Sequence, residues 1–413
     1  MFPNFAAEAY SRDQQKQLRK LFGVLRRRCC FCRTPGSPSA ARQFEVTHTV
    51  NNRFGERTVT IRAHPVIRAT SYLLALSVYP SASLAQQLDL DALYAQAAAE
   101  GEVSAYLQGP PQVYAGFVRE FEAKYPKVKV RITPGRYDLM PKIDAQIAAG
   151  RMDADLAILQ TTQDYVRWRR QGALQKFAPP GFDLIRDTLK DPEAHYLPVF
   201  LVMIGFAYNP AQIAETDAPR TIPDFLKPAF KGKTVSTYPH DDDLTLYSNT
   251  LIVEKYGWGM IERLLKQDMK FVRSHVLVSQ ETEKGERPVT FDQISQFNKV
   301  KFVVPDDLPM PVYPITTGIF ANAPHPNAAK LFIAFVLSKE QQHRLTAAGA
   351  ISVRPDVEPP PGLKPLSNYR IADGYVPFIS DEMRTKELRH RFEGYIGPPQ
   401  GAYISTSPNP SSK

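Results

Sequence analysis

The residues best suited to bind a ligand form one short run, YPHDDD at residues 238–243. Carboxylate oxygens and an imidazole can coordinate a cation or recognise a polar solute. Acids at this point also suit the start of a helix predicted at 243–256, where Asp242 or Asp243 would cap free N–H groups and complement the helix dipole. Asp241 would then simply be solvated. Helix capping, solute recognition and metal coordination all stay open for this run, and its candidate ligand-binding residues are Tyr238, His240, Asp241 and Asp242.

Three further loops carry polar residues directly after predicted strands. In open α/β sheets, ligands bind beyond the carboxyl ends of the strands, where helix N-termini with free N–H groups favour anions. A returning segment adds two threonines near the same place. We expect the fold to bring these residues to one cleft. The candidates are Leu107, Gln108, Gly109, Gln160, Thr161, Thr162, Thr290, Asp292, Thr316 and Thr317.

The elements around these loops follow an α/β pattern from residue 86 onward. Strand patterns at 102–106, 127–133 and 154–159 alternate with helix patterns at 113–125 and 142–149. Consecutive parallel strands need crossover connections, which are usually helices. This series therefore predicts parallel strands covered by helices.

An apolar run at Val199–Tyr208 predicts a buried strand that passes between two parts of the fold. It is too short to span a bilayer, and the turn residues Asn209 and Pro210 end it. Residues 301–319, in which prolines interrupt strand patterns, are predicted to cross back. Between these crossings a second α/β set is predicted, with helices at 222–226, 243–256 and 260–267 and strands at 234–236 and 289–291.

The net positive charge of the chain lies in its first 85 residues. They hold 13 Lys and Arg against 4 Asp and Glu, and their net charge of +9 equals that of the whole chain. The remaining residues carry 38 charges of each sign. A nucleic-acid-binding fold needs a basic patch on its folded body, so we expect no nucleic-acid partner. All three cysteines also lie in this segment, at positions 29, 30 and 32.

Residues 62–85 have the pattern of a secretion signal. Two arginines precede the apolar stretch Ala69–Val78, and Ser83 and Ala85 supply small residues for cleavage before Gln86. A signal peptide normally opens a chain, yet 61 residues precede this one. We therefore expect translation to begin near Val59 and residues 1–61 to be a dispensable basic tail.

A stretch at 321–343, ANAPHPNAAKLFIAFVLSKEQQH, predicts two consecutive helices. Pro326 suits the first turn of the first helix, and Ser338 can cap the second. The string closely resembles a segment of the type II periplasmic solute-binding proteins and is nearest the iron(III)-type ABC transporter components. Residues 224–243 (DFLKPAFKGKTVSTYPHDDD) and 392–401 (FEGYIGPPQG) also resemble stretches of that family. The resemblance covers residues 86 to about 402.

The resemblance implies an α/β fold of the periplasmic-binding-protein-like type II class. Such proteins have two α/β lobes joined by a hinge, each with a mixed, mostly parallel sheet. The lobes would be 86–198 with 313–402, and 199–312. Residues 403–413 would form a disordered tail.

The implied function is that of a secreted substrate-binding component of an ABC importer. It would capture a small polar solute between its lobes by hinge closure and deliver it to an ABC permease in the inner membrane. We expect a monomer with no cofactor, no bound metal and no catalytic residues. The expected location is the periplasm, or the exterior if the source lacks an outer membrane.

Two alternatives stay open at this point. Iron-binding members of the group use a pair of adjacent tyrosines after the last strand of the second lobe, where this chain reads TFDQISQFNKVKF at 290–302. The missing pair argues against a ferric-iron or other metal carrier. An enzyme on the same two-lobed fold would need a nucleophile, but residues 86–413 hold no cysteine and no Gly-x-Ser-x-Gly motif.

Overall fold

A computed structural model describes residues 47–52, 55–60, 88–108, 114–135, 138–295 and 300–402. The chain divides into two compact units, 1–81 and 82–413. In the first unit, strands β1 (Thr47–Asn52) and β2 (Gly55–Thr60) pair antiparallel. The predicted signal peptide at 62–85 and the predicted disordered tail at 403–413 lie outside the described residues, and both stay predictions, as does the dispensable tail at 1–61.

The second unit contains a mixed eight-stranded sheet. Six of its strands lie in the order β10-β6-β11-β5-β3-β4, while β9 pairs with β6 and β12 with β11. The parallel pairs of this sheet are β3 with β4, β3 with β5, and β11 with β12. A separate parallel pair joins β7 to β8. The strands are β3 (Glu102–Gln108), β4 (Lys129–Gly135), β5 (Leu156–Leu159), β6 (Leu197–Tyr208), β7 (Val235–Thr237), β8 (Lys270–Val272), β9 (Val289–Ile294), β10 (Lys301–Val303), β11 (Met310–Ile319) and β12 (Ile371–Ala372).

Helices connect and cover these strands. Several begin at a side chain that caps free N–H groups, such as Asp89, Asp242, Ser274 and Ser338. The α-helices are α1 (Leu90–Glu100), α2 (Ala115–Lys124), α3 (Leu139–Ala148), α4 (Thr162–Arg170), α5 (Asp243–Tyr256), α6 (Trp258–Leu265), α7 (His275–Lys284), α8 (Pro326–Val336), α9 (Lys339–Ala347), α10 (Tyr375–Ile379) and α11 (Glu382–Ile396). The predicted helix pair at 321–343 is confirmed as α8 and α9.

The two long strands β6 and β11 connect two separate hydrophobic cores. They pair antiparallel with each other between Leu197 and Met203, and β6 continues to pair with β9 from Ile204 to Tyr208. Side chains alternate between the faces of a strand. Leu201 and Met203 accordingly pack in the first core, whereas Val202 and Ile204 pack in the second. This arrangement confirms the expected α/β, two-lobed fold with strands that pass between the lobes.

The first core is built around α2 and α8. The Phe121 ring is fully buried, and its centroid lies 5.2 Å from that of Phe332 and 5.4 Å from that of Phe335, both in edge-on geometry. Edge-on aromatic pairs contribute beyond the area that they bury. The apolar face predicted for the 326–336 segment therefore holds the first lobe together.

The sequence patterns missed β8 and α7 altogether. The buried face of α7 carries His275, Ser279 and Thr282 beside Val278, so it lacks the apolar periodicity that indicates a helix. Residues 222–226, predicted as an ordinary helix, form a 3₁₀ helix instead, with a capping box between Thr221 and Asp224. The pattern missed α7 because its buried polar side chains are held by hydrogen bonds.

The limits of the two lobes stay a prediction, and the packing of the C-terminal helices bears on them. Residues 313–402 were all expected in the first lobe. Tyr375, Phe378 and Phe392 instead pack in the second core, together with residues of α5 and α6. This contact favours assigning residues 375–396 to the second lobe.

Replacing Phe121 with alanine tests the first core. We expect the free energy of unfolding to fall by about 3–5 kcal/mol, because the substitution leaves a cavity among three aromatic rings. Urea denaturation would measure the change. The matched control is Met383→Ala, because the Met383 side chain is 85% exposed and should change stability by less than about 0.5 kcal/mol. Equal effects of the two substitutions would contradict the packing described here.

Candidate functional site

Helices α4 and α5 begin next to each other, one from each lobe. The Gln163 side-chain amide on α4 donates a 2.9 Å hydrogen bond to the Asp243 carboxylate on α5. On the first-lobe side, the Thr162 hydroxyl lies 2.8 Å from the hydroxyl of Thr316 on β11. The N-terminus of a helix carries partial positive charge and free N–H groups. Two such ends therefore face one region between the lobes.

The three consecutive acids of the YPHDDD run have three different roles. Asp242 caps α5, accepting from the backbone N–H groups of Leu244 and Thr245 at 2.9 and 3.0 Å. Asp241 forms a two-point ion pair with Arg273, at 2.8 and 3.0 Å. Asp243 faces the other lobe. The helix-capping interpretation is thus correct for Asp242, whereas Asp241 is paired rather than only solvated.

Asp243 forms a partly buried ion pair with Arg389 of α11. One guanidinium nitrogen donates to the Asp243 carboxylate, and another donates to the backbone carbonyl of His240 at 3.0 Å. Burial raises the pKa of Asp243, and the positive charge of Arg389 opposes that effect. Helix α11 thus supplies a positively charged side chain, Arg389, to the region beside residues 238–243.

Tyr375, the first residue of α10, lies beside this ion pair with an unsatisfied hydroxyl. Its side chain is 1% exposed, and no described residue forms a hydrogen bond with its hydroxyl. Burial raises the pKa of Tyr375 well above its usual value, and the negative charge of Asp243 acts in the same direction. A buried hydroxyl that stays unpaired costs about 1–3 kcal/mol, so an ordered water or a bound ligand would be needed to satisfy the Tyr375 hydroxyl. We call Gln163, Asp243, Tyr375 and Arg389 the interlobe site.

The candidates of the first lobe gather at the ends of β3, β5 and β11. The Gln108 side-chain oxygen accepts from the Gln160 backbone N–H at 2.8 Å, beside Thr161 at the start of α4. Thr317 donates to the carbonyl of Ala157 at 2.8 Å. The Leu107 side chain is buried in the first core instead. Gly109 lies outside the described residues.

The candidates on β9 lie inside the second lobe. The Asp292 carboxylate is 1% exposed and accepts from the backbone N–H and the hydroxyl of Thr237, both at 2.7 Å, and it lies 3.2 Å from the His275 ring. The Thr290 hydroxyl accepts from the Asp292 backbone N–H at 2.9 Å. These side chains are thus occupied by internal hydrogen bonds. The Tyr238 ring is also buried, 5.3 Å from that of Phe271.

His275 is the positive partner within this internal network. Burial lowers its pKa, but the negative charges of Asp292 and Asp242 outweigh that effect and raise the pKa to about 9. The positive charge of His275 therefore balances the buried carboxylate of Asp292 in the absence of solvent. The same ion pair holds β9 against α7, because Asp292 lies on β9 and His275 on α7.

Neither a metal cluster nor a membrane span occurs in the described part of the chain. No group of three or more His, Cys, Asp or Glu side chains there is arranged to hold a metal ion. Within those same ranges, every helix is too short or too polar to cross a bilayer.

Four residues of the interlobe site were not among the sequence candidates, namely Gln163, Asp243, Tyr375 and Arg389. Asp243 stood inside the acidic run, with capping, solute recognition and metal coordination all open, but it was not among the candidate ligand-binding residues. Arg389 and Tyr375 are more than 130 residues away from it along the chain. Their residue types gave no signal, since arginine on a charged helix and tyrosine after glycine are common on surfaces.

The pairing of His275 with Asp292 predicts a pH dependence of stability. A raised pKa contributes stability that is fully present below the ordinary value of 6.5 and is lost as the pH rises through about 9. We expect the free energy of unfolding to fall by roughly 2–3 kcal/mol between these two pH values. His275→Gln, which cannot ionise, should remove this fall, whereas His343→Gln on the exposed face of α9 should keep it. Denaturation curves across this pH range would measure the fall in the free energy of unfolding. Its persistence in His275→Gln would contradict the prediction.

Comparison with known proteins identifies the family. The family model described as bacterial extracellular solute-binding protein matches residues 104–343, more than half of the chain. No match was found among curated protein sequences. Iron-bound HitA from Pseudomonas aeruginosa is 18% identical, with a TM-score of 0.58 over 70% of this chain and 99% of its own.

Two further solved structures share the fold. AfuA from Actinobacillus pleuropneumoniae, determined with fructose-6-phosphate bound, is 19% identical, with a TM-score of 0.58 over 72% of this chain and 98% of its own. The substrate-binding protein of an ABC transporter from Agrobacterium tumefaciens is 14% identical, with a TM-score of 0.61 over 71% of this chain and 94% of its own. The matched sequence and the two-lobed architecture agree, and the chain belongs to the bacterial extracellular solute-binding proteins.

Proposed function

We propose that the chain is the substrate-binding component of an ABC importer and holds a small polar solute at the interlobe site. The observation that carries this proposal is the meeting of Gln163 from the first lobe with Asp243 and Arg389 from the second, beside the unpaired hydroxyl of Tyr375. Polar groups that converge from both lobes are the feature that a solute can use to hold the lobes together.

Closure of the lobes is the proposed mechanism. A ligand can shift a conformational equilibrium only by its differential affinity for the two states. Contacts with Gln163 and with Asp243 can form together only when α4 and α5 approach each other, so the solute stabilises the closed state. The strands β6 and β11 would absorb the movement, because both run through the two cores.

The chemistry of the interlobe site favours an organic polar solute over ferric iron. Tyr375 is the one phenol among the four residues of the interlobe site, whereas the iron-binding members of the group use a pair of adjacent tyrosines. The amide of Gln163, the hydroxyl of Tyr375 and the Asp243–Arg389 pair instead offer neutral and paired hydrogen-bonding groups, which suit hydroxyl, amide or amine groups of a solute.

The remaining features follow from this role. We infer that the protein acts without catalysis, works as a monomer and delivers its solute to an ABC permease. We also infer a periplasmic location for the mature protein, with the signal peptide at 62–85 removed. Residues 375–396 would move with the second lobe, because Tyr375 and Phe392 pack in its core.

A thermal-shift screen of the purified protein tests the proposal. A ligand that binds only the folded state stabilises it by RT ln(1 + L/Kd), where L is the ligand concentration, so the unfolding temperature rises with the logarithm of that concentration once it exceeds Kd. The panel should include sugars, sugar phosphates, amino acids, polyamines and ferric citrate. We expect at least one organic solute to raise the transition and ferric citrate to leave it unchanged. A shift by ferric citrate alone would favour the metal-carrier alternative, and no shift by any compound would contradict solute binding.

Three variants locate the binding site once a solute is found. Gln163→Ala and Arg389→Gln should each weaken binding by roughly 10-fold or more, since a hydrogen bond to a charged or enclosed group contributes about 1.5–3 kcal/mol. Lys386→Gln removes an exposed charge from the same helix as Arg389 and should leave Kd unchanged. Calorimetric titration would measure all three. Unaltered affinity in both site variants, with folding intact, would place the solute elsewhere.

A further inference from the structure

A cavity lies away from the interlobe site and shares no residue with it. Its volume is about 310 Å³, and it lies between β6, the segment that follows α9 and a proline-rich stretch at 355–366. None of the ligand-binding residues predicted from the sequence lines it. Its apolar lining includes Leu189, Leu201, Met203, Ile351, Val353 and Leu366.

The size of this cavity suits a small organic molecule. A dry apolar cavity of about 150 Å³ admits benzene, so about twice that volume admits two fused rings. Ligand sites in proteins typically measure about 300–1,000 Å³ and combine apolar walls with a few polar groups. The cavity meets that description at its lower limit.

All charged side chains that line the cavity are basic. Arg186 is paired with Asp373 at 3.0 Å, and Arg354 is paired with Asp356 at 2.9 Å. The third, Lys364, is exposed, and no described acid lies within ion-pair distance of its ammonium group. One positive charge is thus available beside an apolar interior, which complements a molecule with an apolar body and one negative charge.

We propose that this cavity is a second ligand site, which binds an aromatic carboxylate of about two fused rings. The rings would occupy the apolar space against Leu201, Met203 and Ile351. The carboxylate would lie toward the ammonium group of Lys364. Because Leu201 and Met203 belong to β6, the bound molecule would contact a strand that joins the two lobes.

Titration of the full chain with 2-naphthoate, followed by calorimetry, tests this site. We expect saturable binding of one molecule per chain. The neutral analogue 2-naphthamide should bind about 1.4- to fivefold more weakly, because an exposed ion pair contributes about 0.2–1 kcal/mol. Lys364→Gln should remove that difference, whereas Lys386→Gln should keep it.

Two variants that fill the cavity complete the test. Leu366→Trp should abolish binding of both naphthalene compounds by occupying their space. Pro355→Trp, at an exposed lining position, provides a second blocked form if Leu366→Trp does not fold. The proposal is overturned if neither compound binds saturably, if both bind equally to the unaltered protein, or if binding survives in a folded blocked variant. Each result is independent of the interlobe site, because no residue is shared.

Discussion

The antiparallel pairing of β6 with β11 is the constraint on which the rest of the structure depends. Alternate side chains of β6 enter different hydrophobic cores, so this strand belongs to both lobes at once. Its backbone hydrogen bonds are shared with β11 in one half and with β9 in the other. Any relative movement of the lobes must therefore be taken up by twisting of these strands, since breaking the ladder would leave buried N–H and C=O groups unpaired.

In the second lobe, acidic side chains are balanced by positively charged partners. Asp292 is enclosed and is balanced by His275, while Asp241 is balanced by Arg273. Asp243 differs because its partners come from α11 and from the other lobe. The hydrogen bonds of Asp243 therefore depend on how the two lobes are placed. Those of Asp292 and Asp241 lie within the second lobe and do not. That difference sets the interlobe site apart from the internal network.

The predictions that succeeded came from local patterns. The apolar face at 326–336, the long strand near 199–208 and the helix at 243–256 could each be read from periodicity and turn residues, because short-range geometry dictates them. The helix α7 could not, since its buried face is largely polar and is stabilised by hydrogen bonds to residues far along the chain. Its absence from the prediction also concealed the partner of Asp292.

The sequence by itself determined the alternation of strands and helices, the position of the strand between the lobes and the resemblance to solute-binding proteins. It also pointed to the acids at 241–243 without separating their roles. Only the tertiary structure decided that Asp242 caps a helix, that Asp241 pairs with Arg273 and that Asp243 meets Gln163 and Arg389. The physical reason is range: periodicity reports contacts within a few residues, whereas an ion pair such as Asp243–Arg389 depends on how distant helices pack.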